Sequence, residues 1–142
     1  MEEIDLCWRL RLSGRKVFYN GAVEVYHLNG GTLPSSSPLK TFLNFRNNLL
    51  MLYKNHSKTD FLGVFAVRLL FDLAAGVHFV LTEGWSHGQA VVKAYFDFFK
   101  KRKSVQRTLP LASKLTKDVQ EKKVCSIVLS YYLGGKRSYE EL

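Results

Sequence analysis

The sequence predicts an α/β fold that is mostly α-helical, and three observations lead to this prediction. Apolar residues recur at helical spacing in several stretches, including 2–12, 38–55 and 84–103. Two short β-type runs at 16–19 and 23–27 flank an Asn-Gly turn signal. Hydrophobic residues make up 46% of the 142 residues, which is enough for a packed core and argues against a disordered chain. We expect a helix and a short β hairpin, followed by four or five helices.

The first predicted helix covers residues 2–12. Glu2, Glu3 and Asp5 lie in its first turn, where carboxylates interact favourably with the helix dipole. Gly14 suits the position just after its end. The acidic cluster has two interpretations. It is either a set of solvent-exposed acids at a helix start, or a site where neighbouring charges prepare one carboxylate as a general base.

The β-type runs Lys16–Tyr19 and Val23–His27 could pair as a hairpin or form two successive edge segments. Asn20-Gly21 between them is typical of a tight turn. His27 closes the second run. A histidine in this position is either a structural residue or, together with carboxylates, a ligand of a divalent metal.

Two further helices are predicted at 38–55 and 60–83. Pro38 suits the first helical position, with Ser37 as N-cap. The second stretch is long enough to span a bilayer, but Arg68, Asp72 and His78 interrupt it. An interfacial or protein-buried helix is therefore favoured over a spanning one. Arg68 and Asp72 are four residues apart and can pair on one helix face.

The last predicted elements are a helix at 84–103, a weakly helical stretch at 109–121, and an apolar helix or strand at 124–133. Aromatic residues followed by cations are typical of a helix that lies on an anionic membrane surface. The residues predicted to face the membrane are Trp85, Phe96, Phe99, Lys100, Lys101, Arg102 and Lys103.

The formal net charge is +9, and the excess lies mainly in residues 100–142, which carry eleven Lys and Arg against four Asp and Glu. Such a charge predicts an anionic partner. The aromatic residues precede the cations at helical spacing, which favours membrane or core packing over a grip on nucleic acid. Cys7 and Cys125 form no C-x-x-C pair, so we expect neither a zinc site nor a disulfide framework. We expect the protein to lie in a reducing compartment.

Three segments together resemble the C-terminal part of family 2 glycosyltransferases. They are E-E-I-D-L-C-W-R at 2–9, V-F-Y-N-x-A-V-x-V-Y-H-L-x-G-G-T at 17–32, and F-x-N-F-R-N-N-L at 42–49. These are inverting enzymes with the GT-A fold, including rhamnosyl- and galactofuranosyl-transferase-like members. The resemblance implies a division into 1–58, the acceptor side of a GT-A catalytic domain, and 59–142, a basic helical tail that associates with a membrane.

The resemblance also implies roles for individual residues. Glu3 takes the position of the catalytic base that deprotonates the acceptor hydroxyl, with Glu2 and Asp5 in support. His27 takes the position of a metal ligand beside the diphosphate of a nucleotide sugar, with Mg or Mn as the metal. Arg46 and Asn47 match a pair placed near phosphate or acceptor. The implied acceptor is a polysaccharide or glycolipid at the cytoplasmic face of a bacterial-type membrane.

The nucleotide-binding half of that family and its D-x-D motif have no counterpart here, since no Asp-x-Asp occurs in the sequence. We therefore expect these residues to be a fragment that is inactive alone, with Met1 as an internal methionine. Two other functions stay open. One is a non-catalytic helical module that binds a membrane surface, and the other is a basic domain that binds nucleic acid.

Overall fold

Four α-helices are defined in a computed structural model that describes residues 2–26, 33–34, 36–108, 130–131, 134–135 and 137–138. They are α1 (Glu2–Leu12), α2 (Pro38–Asn55), α3 (Lys58–Thr82) and α4 (Trp85–Lys101), and a 3-10 turn at Arg102–Ser104 follows α4. The helices predicted at 2–12 and 38–55 are confirmed with the same bounds. Those predicted at 60–83 and 84–103 are confirmed within two residues at each end.

The predicted α/β fold with a β hairpin is wrong, because no strand occurs among the residues that the structure describes. The Asn20 turn does form: its side-chain Oδ1 accepts a hydrogen bond from the Ala22 amide over 3.0 Å. The runs beside it do not pair, and Tyr19 and Tyr26 are 93% and 94% exposed. A lone two-stranded hairpin is only marginally stable in water. The turn signal therefore acts locally, and no neighbouring sheet is present in this part of the chain to hold the strands.

Helices α2, α3 and α4 pack side by side, and their contacts give the directions in which they run. Along α3 and α4, Phe65 meets Phe99, while Gly76 meets Val91, so these two helices are antiparallel. Thr41 and Tyr53 of α2 meet His87 and Phe98 of α4, so these two helices are parallel. Gly84 makes the sharp reversal between α3 and α4, with a φ of 100°. A residue with a Cβ would adopt this positive φ only at an energetic cost.

The core lies where the three helices meet. Leu49 of α2, Phe61 of α3 and Phe98 of α4 are buried there, with the Tyr53 ring packed edge-on against both phenylalanines. Aromatic pairs in this geometry contribute about 0.5–1.5 kcal/mol each beyond their burial. The core thus joins residues from both sides of the division predicted at 58/59, and that division stays a prediction.

Helix α1 and the segment after α4 both dock at the C-terminal end of α2. Trp8 of α1 packs edge-on against His56 at 4.8 Å between ring centroids. The Thr108 amide donates to the Lys54 carbonyl over 3.0 Å, which brings the chain back after the 3-10 turn. Three separate parts of the sequence therefore meet around residues 54–56.

Helix α3 turns a row of large apolar side chains outward. Leu62, Leu70, Leu73, Val77 and Leu81 are all more than half exposed. By length and composition α3 could cross a membrane, and very little of its apolar stretch is buried within the protein. An exposed apolar row of this kind is typical of a surface that contacts another molecule or a membrane.

The elements predicted at 109–121 and at 124–133 lie almost wholly outside the described residues, as does His27.

Candidate functional site

A pocket of about 650 Å³ opens where α1, the end of α2 and the segment after α4 meet. Its volume is within the range of about 300–1,000 Å³ typical of small-molecule sites. Seven of its eleven lining residues carry a carboxylate, a cation or an amide, and the lining consists of Glu2, Asp5, Arg9, Asn47, Leu50, Met51, Lys54, Val105, Gln106, Arg107 and Thr108. The mixture of charges suits a polar ligand with several hydroxyl groups.

One face of α1 supplies the charged wall of this pocket. Glu2, Asp5 and Arg9 follow one another at spacings of three and four residues, which places them on the same side of a helix. Arg9 Nε donates to Asp5 Oδ2 over 3.0 Å. Asp5, one of the three acids of the predicted first turn, therefore pairs with a cation of its own helix.

Asp5 is held by two more donors, both from the end of α2. Lys54 Nζ donates to Oδ2 over 2.8 Å, and Asn55 Nδ2 donates to Oδ1 over 2.7 Å. Burial by itself would raise the pKa of Asp5. The hydrogen bonds from Lys54 and Asn55, with the charges of Lys54 and Arg9, outweigh burial and lower the pKa of this carboxyl below its ordinary value.

Asn55 connects all three parts of the pocket. It is fully buried, and its Nδ2 donates both to Asp5 and to the Met51 carbonyl, the latter over 3.1 Å. Its Oδ1 accepts a hydrogen bond from the Thr108 hydroxyl over 3.0 Å. Both polar atoms of this buried side chain therefore form hydrogen bonds. This is expected, because burying an amide without hydrogen-bond partners would destabilise the fold.

Arg107 fixes the segment after α4 over the end of α2. Its guanidinium donates to the His56 carbonyl over 2.6 Å and lies 4.5 Å above the Tyr53 ring. Both contacts restrain a long flexible side chain. The cation is consequently positioned at the pocket rim.

Glu3, the predicted catalytic base, lies on another face of α1. It is two positions from Asp5, so the two side chains project about 200° apart around the helix at 3.6 residues per turn. Glu3 is exposed and does not line the pocket. Its role as a base stays a prediction, as do the supporting roles of Glu2 and Asp5.

Arg46 and Asn47 contact each other on α2. Arg46 donates through Nε and Nη2 to Asn47 Oδ1 over 3.0 and 2.8 Å, and through Nη1 to Asp97 of α4 over 3.4 Å. Its guanidinium also lies 5.1 Å above the Phe42 ring. Asn47 lines the pocket, whereas Arg46 connects α2 to α4 through Asp97.

Several residues that line the pocket or hold it together were not predicted from the sequence. Lys54 and Asn55 end a helix in an ordinary way, and Arg107 and Thr108 follow a basic run without any motif. The signal that could have identified Asn55 is an amide at the last turn of a helix whose apolar face includes Met51, four residues earlier. No local pattern indicates that residues 107–108 return to this helix end.

A metal site is not formed by the residues that the structure describes, since no three histidine, cysteine or acidic side chains converge there. His27, the predicted ligand, lies outside the described residues. Asp5, the carboxylate between α1 and α2, is already paired with two cations, Arg9 and Lys54. A divalent metal at Asp5 would have to displace these cations.

The residues predicted to face a membrane lie along α4 and at its end. Trp85 and Phe96 are 69% and 73% exposed, and Phe99 is partly exposed beneath the Arg102 guanidinium at 5.0 Å. Lys101 pairs with Asp97 over 3.1 Å, while Lys100 and Lys103 are exposed. The aromatic residues adjoin the apolar row of α3, and the cations gather at one end.

In comparisons with known proteins, no family model matches this chain, and no curated protein or solved structure is similar to it.

Proposed function

We propose that this chain forms the acceptor side of an inverting sugar transferase of the family 2 type, together with a helical surface that docks on a membrane. One observation carries the proposal. Asp5 and Asn47 belong to two separate segments of the glycosyltransferase-like pattern, 42 residues apart, and both line the same pocket.

The chemistry of the pocket agrees with a sugar acceptor. Glycan hydroxyl groups both donate and accept hydrogen bonds, and the lining offers carboxylates, cations and the Asn47 amide. Three cations line the pocket. Arg9 and Lys54 pair with Asp5, so Arg107 is the cation that best suits a phosphate on a lipid-linked acceptor.

Two carboxylates of α1 receive different roles in this proposal. Asp5, with three donors and a lowered pKa, is a poor proton acceptor and positions the helix instead. Glu3 is exposed on the face of α1 that turns away from Asp5, so its role as base requires an acceptor that extends from the pocket around the start of α1. Glu3 accepts the proton of the acceptor hydroxyl, whose oxygen bonds to the anomeric carbon as the bond to the nucleoside diphosphate breaks on the opposite face. The configuration at that carbon inverts.

The donor half must come from elsewhere, since the 142 residues contain no D-x-D motif. The first test is the reading frame upstream of Met1. A β-α-β pattern ending in D-x-D, in frame with Met1, supports the proposal. An in-frame stop codon directly before Met1 contradicts it.

The second test uses the product of that whole reading frame, with UDP- and dTDP-linked sugars as donors. Glu3→Gln is expected to lower the transfer rate by about 10²–10⁴-fold, the range for loss of a general base, with donor affinity unchanged. Glu24→Gln is the matched control, since Glu24 is exposed and falls on a variable position of the pattern. Wild-type turnover in Glu3→Gln would refute the assignment of Glu3.

A second candidate function, a membrane-surface module without catalysis, is favoured by the exposed apolar rows of α3 and α4. Both candidates place the protein at the cytoplasmic face of a membrane. Vesicles of phosphatidylcholine with phosphatidylglycerol are expected to carry the chain in flotation, and Phe96→Ser to reduce this more than the control Leu39→Ser on α2. Salt-dependent RNA binding without flotation would contradict both candidates and favour a nucleic-acid-binding domain.

A further inference from the structure

A second, apolar groove runs between α3 and α4, on a different part of the molecule from the polar pocket. Its volume is about 640 Å³. We propose that this groove binds one alkyl chain of a phosphate-bearing lipid, with the phosphate at Lys93. The proposal goes beyond sugar transfer, because it concerns a binding site that needs neither a nucleotide sugar nor a bilayer.

Close approach of the two helices forms the floor of the groove. A Cβ on Gly88 of α4 would collide with Val80 Cγ2 of α3, and a Cβ on Gly76 would lie 3.9 Å from Val91. Glycine at both positions lets the backbones approach. The larger side chains on either side of this contact project beyond it and form the walls of the groove.

The walls are apolar along their length. Leu73, Val77 and Leu81 form one wall on α3, and Val92 and Phe96 form part of the other on α4. The groove continues into a smaller apolar pocket lined in part by Leu69 and Phe99. From Leu69 to Leu81 the helix rises about 18 Å, at 1.5 Å per residue, so an extended alkyl chain fits lengthwise.

The polar groups at the rim select the class of lipid. Gln89 and Lys93 are one turn apart on α4 and both line the groove. Lys93 offers a cation to a phosphate, and Gln89 an amide donor. Asp72, the acid in the lining, is 3% exposed, and its oxygens accept hydrogen bonds from Arg68 and Tyr95, so its charge is compensated within the protein.

Other occupants fit less well. A second copy of this chain would bring the same Lys93 and a net charge of +9 against itself. An extended peptide would place backbone amides and carbonyls against walls that offer them few partners. An alkyl chain has no hydrogen-bonding groups to satisfy, and each methylene that leaves water contributes about 0.8 kcal/mol.

The experiment uses the whole chain without detergent or vesicles. Binding of dodecyl phosphate below its micelle concentration is measured by titration calorimetry and counted by native mass spectrometry. Saturable binding of one molecule per chain is expected. Dodecyltrimethylammonium and inorganic phosphate, which lack the anionic head and the chain respectively, are expected to bind at least about ten-fold more weakly.

Matched variants test the two parts of the site. Val77→Trp fills the groove and is expected to weaken binding about ten-fold or more, whereas Leu70→Trp makes a similar change on α3 outside the lining and leaves binding unchanged. Lys93→Gln is expected to weaken binding about five-fold, the effect of one lysine near a lipid head group, and Lys100→Gln to have no effect.

The proposal is overturned if Val77→Trp and Leu70→Trp bind equally well, since the lipid would then adsorb anywhere on the apolar surface. Equal binding of the cationic amphiphile would refute the role of Lys93, and equal binding of inorganic phosphate would refute the alkyl site. Circular dichroism establishes that each variant is folded. If Val77→Trp does not fold, Val92→Trp replaces it, because this substitution fills the groove from the opposite wall.

Discussion

The side chain of Asn55 donates a hydrogen bond to Asp5 over 2.7 Å and so joins the last residue of α2 to the first turn of α1. The same amide accepts from Thr108, which follows α4. One fully buried side chain therefore holds three segments that are about 50 residues apart in sequence. The polar pocket exists because these segments meet.

Replacing Asn55 is expected to destabilise the protein. Asn55→Ala removes the partner of Asp5 and of Thr108 and leaves buried polar groups unsatisfied, at a cost of about 1–3 kcal/mol in the free energy of unfolding. Urea unfolding measures the change. Asn44→Ala on the exposed face of α2 is the control and is expected to cost less than about 0.5 kcal/mol. An equal loss of unfolding free energy in the two variants would show that the hydrogen bonds of Asn55 do not stabilise the protein.

Acidification is expected to weaken the contact between α1 and α2. Burial opposes the charge of Asp5, but its hydrogen bonds and neighbouring cations leave its pKa below the ordinary 3.8 in the folded protein. As pH falls, the Asp5 carboxylate is therefore protonated at a higher pH in the unfolded chain than in the folded protein. The stabilisation is complete above pH 3.8 and is lost as pH falls through the lowered folded pKa.

The measurement is the unfolding free energy of the wild type and of Asp5→Asn across that acid range. The wild type should lose more stability than the variant as pH falls. Parallel pH profiles would mean that Asp5 does not supply this dependence.

Tyr95 and Asp72 are expected to be energetically coupled. The Tyr95 hydroxyl donates to Asp72 over 2.8 Å, and burial together with this carboxylate raises the pKa of the phenol, which stays protonated as the donor. Tyr95→Phe should cost about 1–3 kcal/mol, because a buried carboxylate loses a donor. In an Asp72→Asn background the same change should cost about 1 kcal/mol less, as a double-mutant cycle would measure.

Tyr53→Phe is the matched control for that cycle, because the Tyr53 ring makes the core contacts with Phe61 and Phe98. It is expected to change stability by less than about 0.5 kcal/mol. Additive effects of Tyr95→Phe and Asp72→Asn would contradict the coupling.

Two glycines at helix positions are expected to respond in opposite directions. Gly88→Ala places a Cβ against Val80 and should cost about 1–3 kcal/mol, which Val80→Ala in the same chain should partly restore. Gly63→Ala on α3 meets nothing within 4 Å and should stabilise by about 0.5–1 kcal/mol. A stabilising Gly88→Ala would show that α3 and α4 separate easily.

The sequence predicted the helices well, since their signals are local. Periodic apolar residues, Pro38 at a helix start and Gly14 after a helix end each act within a few residues, and the structure confirms all three. The pairing of Arg68 with Asp72 was likewise predictable, because a spacing of four residues suffices for it.

The β hairpin was predicted wrongly for a related reason. Asn20-Gly21 specifies a turn, which forms, but strands gain stability from a sheet or core that covers them. The runs around this turn remain exposed in the described part of the chain. A turn signal therefore predicted the bend and could not predict the pairing.

By itself, the sequence determined the bounds of α1 to α4 to within two residues, the acidic start of α1, and the apolar rows of α3 and α4. Each of these depends on neighbours along the chain. Only the tertiary structure decided that Asp5 pairs with Lys54 and accepts a hydrogen bond from Asn55, and that Thr108 returns to complete the pocket. It also decided that Glu3 stays exposed. Those contacts join residues about 50 positions apart. Helix packing selects such partners, since burying a polar group requires another to satisfy it and no local pattern specifies which one.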